Sequence, residues 1–193
     1  NDFNTLNVYL EMLQMGNCLT GLTTNGAAWL NVQSGSISSC YGVAFMLGNC
    51  SSARIVSVRM EDSGMFAVCG TTTTAGQFVL EQNLIHTRKT YHTDDTAKYV
   101  NGWKCMVCVT GANVLTMRNN TVITTEPNIP PIIVAHNSPG GLLRATDNNF
   151  TFAGPLLLLG EMYPNNRVRL FMSGNQRISA GGVFQEWYPD QNQ

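Results

Sequence analysis

The residues best equipped for chemistry gather in one stretch, His86-Thr-Arg-Lys-Thr-Tyr-His-Thr-Asp-Asp-Thr-Ala-Lys-Tyr-Val-Asn-Gly-Trp103. His92, two places before Asp94, offers an acid–base or metal-binding pair, and Asp94-Asp95 offers two carboxylates. Adjacent carboxylates on a loop seldom converge on one substrate bond, and a single ligand pair falls short of a metal site. Cys105-x-x-Cys108 has the spacing of a redox pair or of half a zinc site. A redox site of that kind starts a helix at its first cysteine, and this segment reads as a strand, which puts the two thiols on opposite faces. Glu61-Asp62 is a further carboxylate pair, but glycoside cleavage needs two carboxylates at a defined separation across a groove. No catalytic residue, cofactor or metal is therefore expected. The sequons Asn49-Cys-Ser51, Asn119-Asn-Thr121 and Asn149-Phe-Thr151 are read as chance matches, because two of them fall within the repeating phrase and a glycan there would obstruct stacking.

These residues are held by a repeat. Its clearest form is Leu115-Thr-Met-Arg-Asn-Asn-Thr-Val122, and weaker forms begin at Leu30, Val56, Phe78, Leu143 and Leu170, with Val8 one step earlier. Apolar residues fall on alternate places, as in Leu30/Val32, Val56/Val58, Phe78/Leu80, Leu115/Met117, Leu143/Ala145 and Leu170/Met172. A period of two marks strands. A second apolar run follows most phrases, as at Gly42 to Leu47, Met65 to Cys69, Ile132 to Ala135, Leu156 to Leu159 and Gly182 to Phe184. No window carries helical spacing, and 18 glycines and 7 prolines leave little room for a helix. Repeats of this length signal a solenoid. The expected fold is all-β: a right-handed parallel β-helix of about six to seven coils, each of roughly 22–28 residues with one longer coil.

Equivalent places in successive coils should stack about 4.8 Å apart. The sixth place reads Gly35, Glu61, Asn83, Asn120, Asn148, Asn175, which predicts a structural ladder of four asparagines. Stacked amides can hydrogen-bond along the axis, and asparagine tolerates the left-handed backbone of a sharp corner. The fourth place reads Gln33, Arg59, Glu81, Arg118, Thr146, Ser173. Pointing outward, Arg59, Glu81 and Arg118 would form an inter-coil charge column that controls register rather than catalysing anything.

The longer coil contains residues 86–103, about ten more than its neighbours carry, and solenoid insertions often bind partners. His86, Arg88, Lys89, Tyr91, His92, Asp94, Asp95 and Lys98 are thus the candidate contact loop. The whole chain, 1–193, reads as a single β-helix domain with this insertion and a candidate cap at 183–193, where Phe184, Trp187 and Tyr188 lie beside the last coil. The N-terminal stretch shows no comparable cap, so the chain is expected to be a piece of a longer β-helix or to be covered there by another segment.

Charged residues make up 12% of the chain and the net charge is −1, a composition without the basic stripe that nucleic-acid binding requires. No apolar run approaches the ~20 residues of a membrane-spanning helix, so neither nucleic acid nor membrane is an expected partner. The 6 cysteines are too sparse for a disulfide framework and are read as buried free thiols acting as small hydrophobes.

Cys40-Tyr-Gly-Val43, Ser52-Ala-Arg-Ile55 and especially Cys105-Met-Val-Cys-Val-Thr-Gly-Ala-Asn-Val-Leu-Thr-Met-Arg-Asn-Asn-Thr-Val122 resemble an adenoviral β-helix family, the large early-region-1B protein and the related left-hand capsid protein of atadenoviruses. The resemblance covers about half the chain. It implies a homotrimer on the outer surface of the virion, made in the infected cell, that contacts a capsid protein such as hexon and stabilises the capsid without enzymatic activity. The alternative from another class is a bacteriophage tailspike, a trimeric β-helix that binds or cleaves host polysaccharide. Its carboxylates should line one groove, whereas here they scatter over corners and one insertion.

Overall fold

The structure, a computed structural model, describes residues 7–25, 29–48, 50–69, 76–87, 107–110, 114–124, 132–135, 142–152, 157–160 and 169–177. The alternating apolar pattern becomes strand nearly everywhere in these segments, and none of the described residues is helical. In order the strands are β1 (Asn7–Asn25), β2 (Trp29–Gly48), β3 (Ser52–Glu61), β4 (Met65–Cys69), β5 (Gln77–Glu81), β6 (Leu84–Thr87), β7 (Val107–Thr110) and β8 (Val114–Arg118). There follow β9 (Thr121–Thr124), β10 (Ile132–Ala135), β11 (Leu142–Thr146), β12 (Asn149–Thr151), β13 (Leu157–Gly160), β14 (Arg169–Ser173) and β15 (Gln176–Arg177). Pairing is parallel, and strands pair with their counterparts one coil away, so the chain is a parallel β-solenoid.

Three stacks of strands form its sides. The first runs from the start of β1 through β2, β3, β5, β8 and β11 to β14. After a corner, the second continues along β1, β2 and β3 and then through β6, β9, β12 and β15. The third joins the ends of β1 and β2 to β4, β7, β10 and β13. The regular part, in which a short strand, an asparagine corner and a second strand recur, amounts to about four turns, beginning at β5, β8, β11 and β14. Six to seven coils were expected. The longer strands of β1, β2 and β3 extend the pairing beyond the regular turns without repeating their format.

Alternation on the first side sends one residue inward and the next outward. Leu30, Ala53, Phe78, Leu115 and Leu143 stack in one buried column, and Val32, Ile55, Leu80, Met117 and Ala145 in a second. Ile37, Met60, Ile85, Val122 and Phe150 form the buried column of the second side. Burying each large aliphatic or aromatic side chain is worth about 1.5–3 kcal/mol, and this burial holds the coils together. The edges of the rings interlock as well: Phe45 meets Phe66 edge-on at 5.3 Å and Phe150 meets Phe152 at 6.5 Å.

The register corrects one phrase. Ala53, not Val56, stacks between Leu30 and Phe78, and Val56 lies opposite Gln33 and Glu81. Two column assignments fall with it. Glu61 leaves the sixth place, which Val58 takes opposite Gly35, and Arg59 leaves the fourth, where it instead pairs in register with Ser36 and Leu84. The physical reason is that alanine is a weak marker of a core place, while Val56, at an outward place, is apolar and only 9% exposed.

The corner itself is turned by the residue before the sixth place. Met12, Ser34, Ser57, Gln82, Asn119, Asp147 and Gly174 all adopt positive φ, between 53° and 65°. The sixth-place asparagines are absent from this left-handed set, so their role is not the backbone conformation expected of them. At Gly174 a Cβ would run into the Asp147 carboxylate one coil away, so space as well as φ favours glycine there.

Candidate functional site

The sixth-place asparagines are side-chain hydrogen-bonding rungs. Asn83, Asn120 and Asn148 are almost wholly buried, and the amide oxygens of Asn120, Asn148 and Asn175 each accept two bonds from the preceding rung. Asn120 Oδ1 accepts from the Asn83 backbone N–H and from Asn83 Nδ2, both at 3.0 Å, and Asn148 Oδ1 does the same for Asn120 at 3.0 and 2.9 Å. Asn175 Oδ1 closes the series on Asn148. Each Nδ2 also donates backwards to a main-chain carbonyl, those of Ile55, Leu80, Met117 and Ala145 in turn. At the other end Asn83 Oδ1 accepts from the Val58 N–H at 2.9 Å. The amides thus satisfy buried main-chain groups that the corner would leave unpaired, at positions that no ligand needs to reach.

Glu81 holds the charge on the outer surface. Its Oε2 accepts from Arg118 Nη2 at 2.9 Å and from Arg54 Nη2 at 3.0 Å, and its side chain is 13% exposed while both arginines are about half exposed. The Arg118 hydrogen bond, then that of Arg54, holds the Glu81 carboxyl below the usual carboxylate range. Arg54 replaces Arg59 as the partner on the preceding coil. It sits two places along from the position opposite Glu81, and its length lets it reach diagonally. Arg59 pairs with Glu61 of its own strand at 2.6 Å, so the expected column of Arg59, Glu81 and Arg118 is replaced by Arg54, Glu81 and Arg118.

The first two coils carry a different surface. Trp29 is 59% exposed, Tyr9 54% and Met12 75%. Trp29 stands opposite Asn7, two places before Tyr9 on the neighbouring strand, a diagonal that aromatic side chains can span. The Tyr9 hydroxyl lies 2.9 Å from Glu11 Oε1 and 3.0 Å from Gln33 Oε1 and has one proton to give to either. Its hydrogen bond to Glu11 pushes the phenol pKa up. This apolar patch escaped the sequence reading because its residues occupy polar, outward places of the phrase, and only the register of β1 on β2 brings Tyr9 and Trp29 together.

At the corner between the second and third sides, Asn17, Ser39 and Asp62 adopt positive φ. The next place holds Cys18 opposite Cys40. The buried Ser63 hydroxyl accepts from the Cys40 N–H at 3.0 Å and donates to the Glu61 carbonyl. Cys40, Cys50 and Cys69 are buried, and Cys18 is half-buried. Burial, followed by the hydrogen bond to Cys18, pushes the Cys40 thiol up to about 12. Burial raises Cys50 as well.

Of the expected contact loop, His86 is described as a half-buried residue of β6, opposite Ile123. Arg88, Lys89, Tyr91, His92, Asp94, Asp95 and Lys98 lie outside the described residues, as do Cys105 and the stretch 183–193. Asn119 of the second sequon is exposed at its corner, so the stacking objection to a glycan does not apply there. Among the described residues no three His, Cys, Asp or Glu side chains gather as a metal site requires. Comparison with protein-family models, with curated proteins and with solved structures finds no match.

Proposed function

We propose that the chain is a non-enzymatic structural protein of a virus particle, a β-solenoid that assembles as a homotrimer on the outer surface and steadies the shell by contacting a major capsid protein. The observation carrying the association part is the exposed aromatic pair of Tyr9 and Trp29, with Met12 exposed farther along β1. Large apolar side chains set together on an outer face are the usual mark of a protein contact. Aromatic residues in particular supply the anchors of such contacts. The viral part rests on the resemblance of residues 40–43, 52–55 and 105–122 to the adenoviral β-helix family. The ladder and the Glu81 cluster agree with a scaffold role, since they spend their polar groups on neighbouring coils.

Sedimentation velocity of the chain at micromolar concentration tests the association. A trimer is expected, shifting towards monomer when Trp29→Asp places a charge in the patch, and a wild-type monomer would overturn it. Copurification with intact virions and their major capsid protein tests the setting. Release of reducing ends from capsular or O-antigen polysaccharides would instead favour the depolymerising tailspike.

A further inference from the structure

We infer that Cys18 and Cys40 form a built-in cross-linking site, at which an external disulfide of low molecular weight converts two free thiols into a covalent staple between the first two coils. Cys18 and Cys40 are register partners on neighbouring parallel strands β1 and β2. Strands so paired lie about 4.8 Å apart, inside the 4.4–6.8 Å range of Cα separations that a disulfide spans. Both thiols are free, and the Cys40 thiol reaches the carbonyl of Leu19, the residue next to Cys18, at 3.9 Å. The register of β1 on β2 shifts between Cys18 and Thr20, so the backbone beside the pair departs from the regular ladder. Ser63 on the next coil holds the Cys40 main chain in place through its hydroxyl.

Accessibility sets the order of events. Cys18 is half-buried and Cys40 fully buried, so Cys18 meets the reagent first. Its thiolate attacks one sulfur of oxidised glutathione, releasing one glutathione thiolate and leaving Cys18 as a mixed disulfide. Cys40 then loses its proton to solvent and attacks the Cys18 sulfur, expelling the second glutathione thiolate. The two protein thiols are oxidised by two electrons and the one glutathione disulfide is reduced to two thiols. Because burial holds the Cys40 proton tightly, the second step is the slow one.

The staple would tie down β1, whose inward residues Val8, Leu10, Leu13 and Met15 are only partly buried. In a reducing cell the pair stays open, and it closes once the protein meets an oxidising medium. Incubating the native chain with oxidised glutathione, blocking the remaining thiols and mapping peptides without reduction tests this. The expected product links the Cys18 and Cys40 peptides with loss of the two thiol hydrogens, and it raises Tm by on the order of 5 °C relative to the reduced chain. Cys40→Ser should trap glutathione on Cys18, whereas Cys18→Ser should leave Cys40 unmodified. A wild-type chain that retains glutathione on Cys18, that stays unmodified at Cys18 or that links other cysteines overturns the inference, whether or not either variant folds.

Discussion

The same corner is built in two ways along the solenoid. From Met12 to Gly174 the turning residue is left-handed on every rung, yet the next place holds Leu13, Gly35 and Val58 in the first rungs and Asn83, Asn120, Asn148 and Asn175 in the later ones. In the first rungs the strands run through the corner, and Leu13, Gly35 and Val58 remain in register with each other. In the later rungs the strand stops, and two short strands flank an amide that carries the bonds across. Main-chain hydrogen bonding around the bend is therefore continued either by the backbone itself or by a buried side chain. The backbone version needs close approach: a Cβ on Gly35 would collide with the Leu13 carbonyl. The amide version tolerates different turning residues, Gln82, Asn119, Asp147 and Gly174, because the rung behind them does the pairing.

Removing a middle rung should break this comparison most severely. Asn120→Ala deletes the acceptor for the Asn83 N–H and Nδ2 and the donor to the Leu80 carbonyl and Asn148 Oδ1, all in the buried interior. Each main-chain group left without a partner costs about 1–3 kcal/mol, so a loss of about 3–5 kcal/mol is expected in urea unfolding. Asn175→Ala strips the Asn148 N–H and the Ala145 carbonyl of their partners at the partly buried end of the ladder, where water can take the place of the amide, and should cost only about 1 kcal/mol. Equal losses at the two positions would show that the amides act locally and not as a ladder.

Exchanging the two corner designs sharpens the same point with a smaller effect. Asn83→Val removes the acceptor of the Val58 N–H and should cost about 3 kcal/mol. Val58→Asn adds an amide beside Asn83 Oδ1, where its Nδ2 can donate as the other rungs do. It should therefore stay within about 1 kcal/mol of the wild-type midpoint. A Val58→Asn chain as unstable as Asn83→Val would mean that the first rungs reject an amide for reasons other than hydrogen bonding.

Much of this architecture was legible from the chain. Alternating apolar residues gave the parallel solenoid because each inward place is repeated on every coil, and the column of Asn83, Asn120, Asn148 and Asn175 followed from the same spacing. The failures came where residue type and place disagree. Ala53 fills a core place that a valine three residues later imitates, which displaced Arg59 and Glu61 into the wrong columns. Arg54 was invisible as a partner of Glu81 because straight columns ignore a long side chain that reaches diagonally. The Cys18 and Cys40 pair could have been found: Val8 precedes Leu30 by the same step, and extending that alignment past the eighth place sets the two thiols side by side. The aromatic patch had no such signal, since outward residues need not repeat.

Charge pairs offer the weaker tests. Glu81→Gln keeps the shape of the side chain and removes the charge that Arg118 and Arg54 share. The folded carboxyl titrates below its unfolded counterpart, near pH 4.3, so its stabilisation is complete above that value and fades as pH falls through the folded pKa. The wild type should exceed Glu81→Gln by up to about 1 kcal/mol at pH 7, with the gap closing towards pH 3, when urea midpoints are compared. A gap that stays constant with pH would assign the difference to packing rather than to charge.

Arg59→Ala should do least of all. Arg59 and Glu61 meet at 2.6 Å, shorter than either contact of Glu81, and distance alone would rank their pair first. Burial reverses that ranking. The two side chains are 62% and 38% exposed, so water already solvates both charges and ordering two long side chains offsets most of the attraction. Both residues also belong to β3, so their bond ties no coil to another, whereas Glu81 joins β3, β5 and β8 through its two arginines. The unfolding midpoint of Arg59→Ala should correspond to a change within about 0.5 kcal/mol, and added salt should leave even that difference small. A loss comparable to that of Glu81→Gln would mean that Arg59 couples neighbouring coils after all.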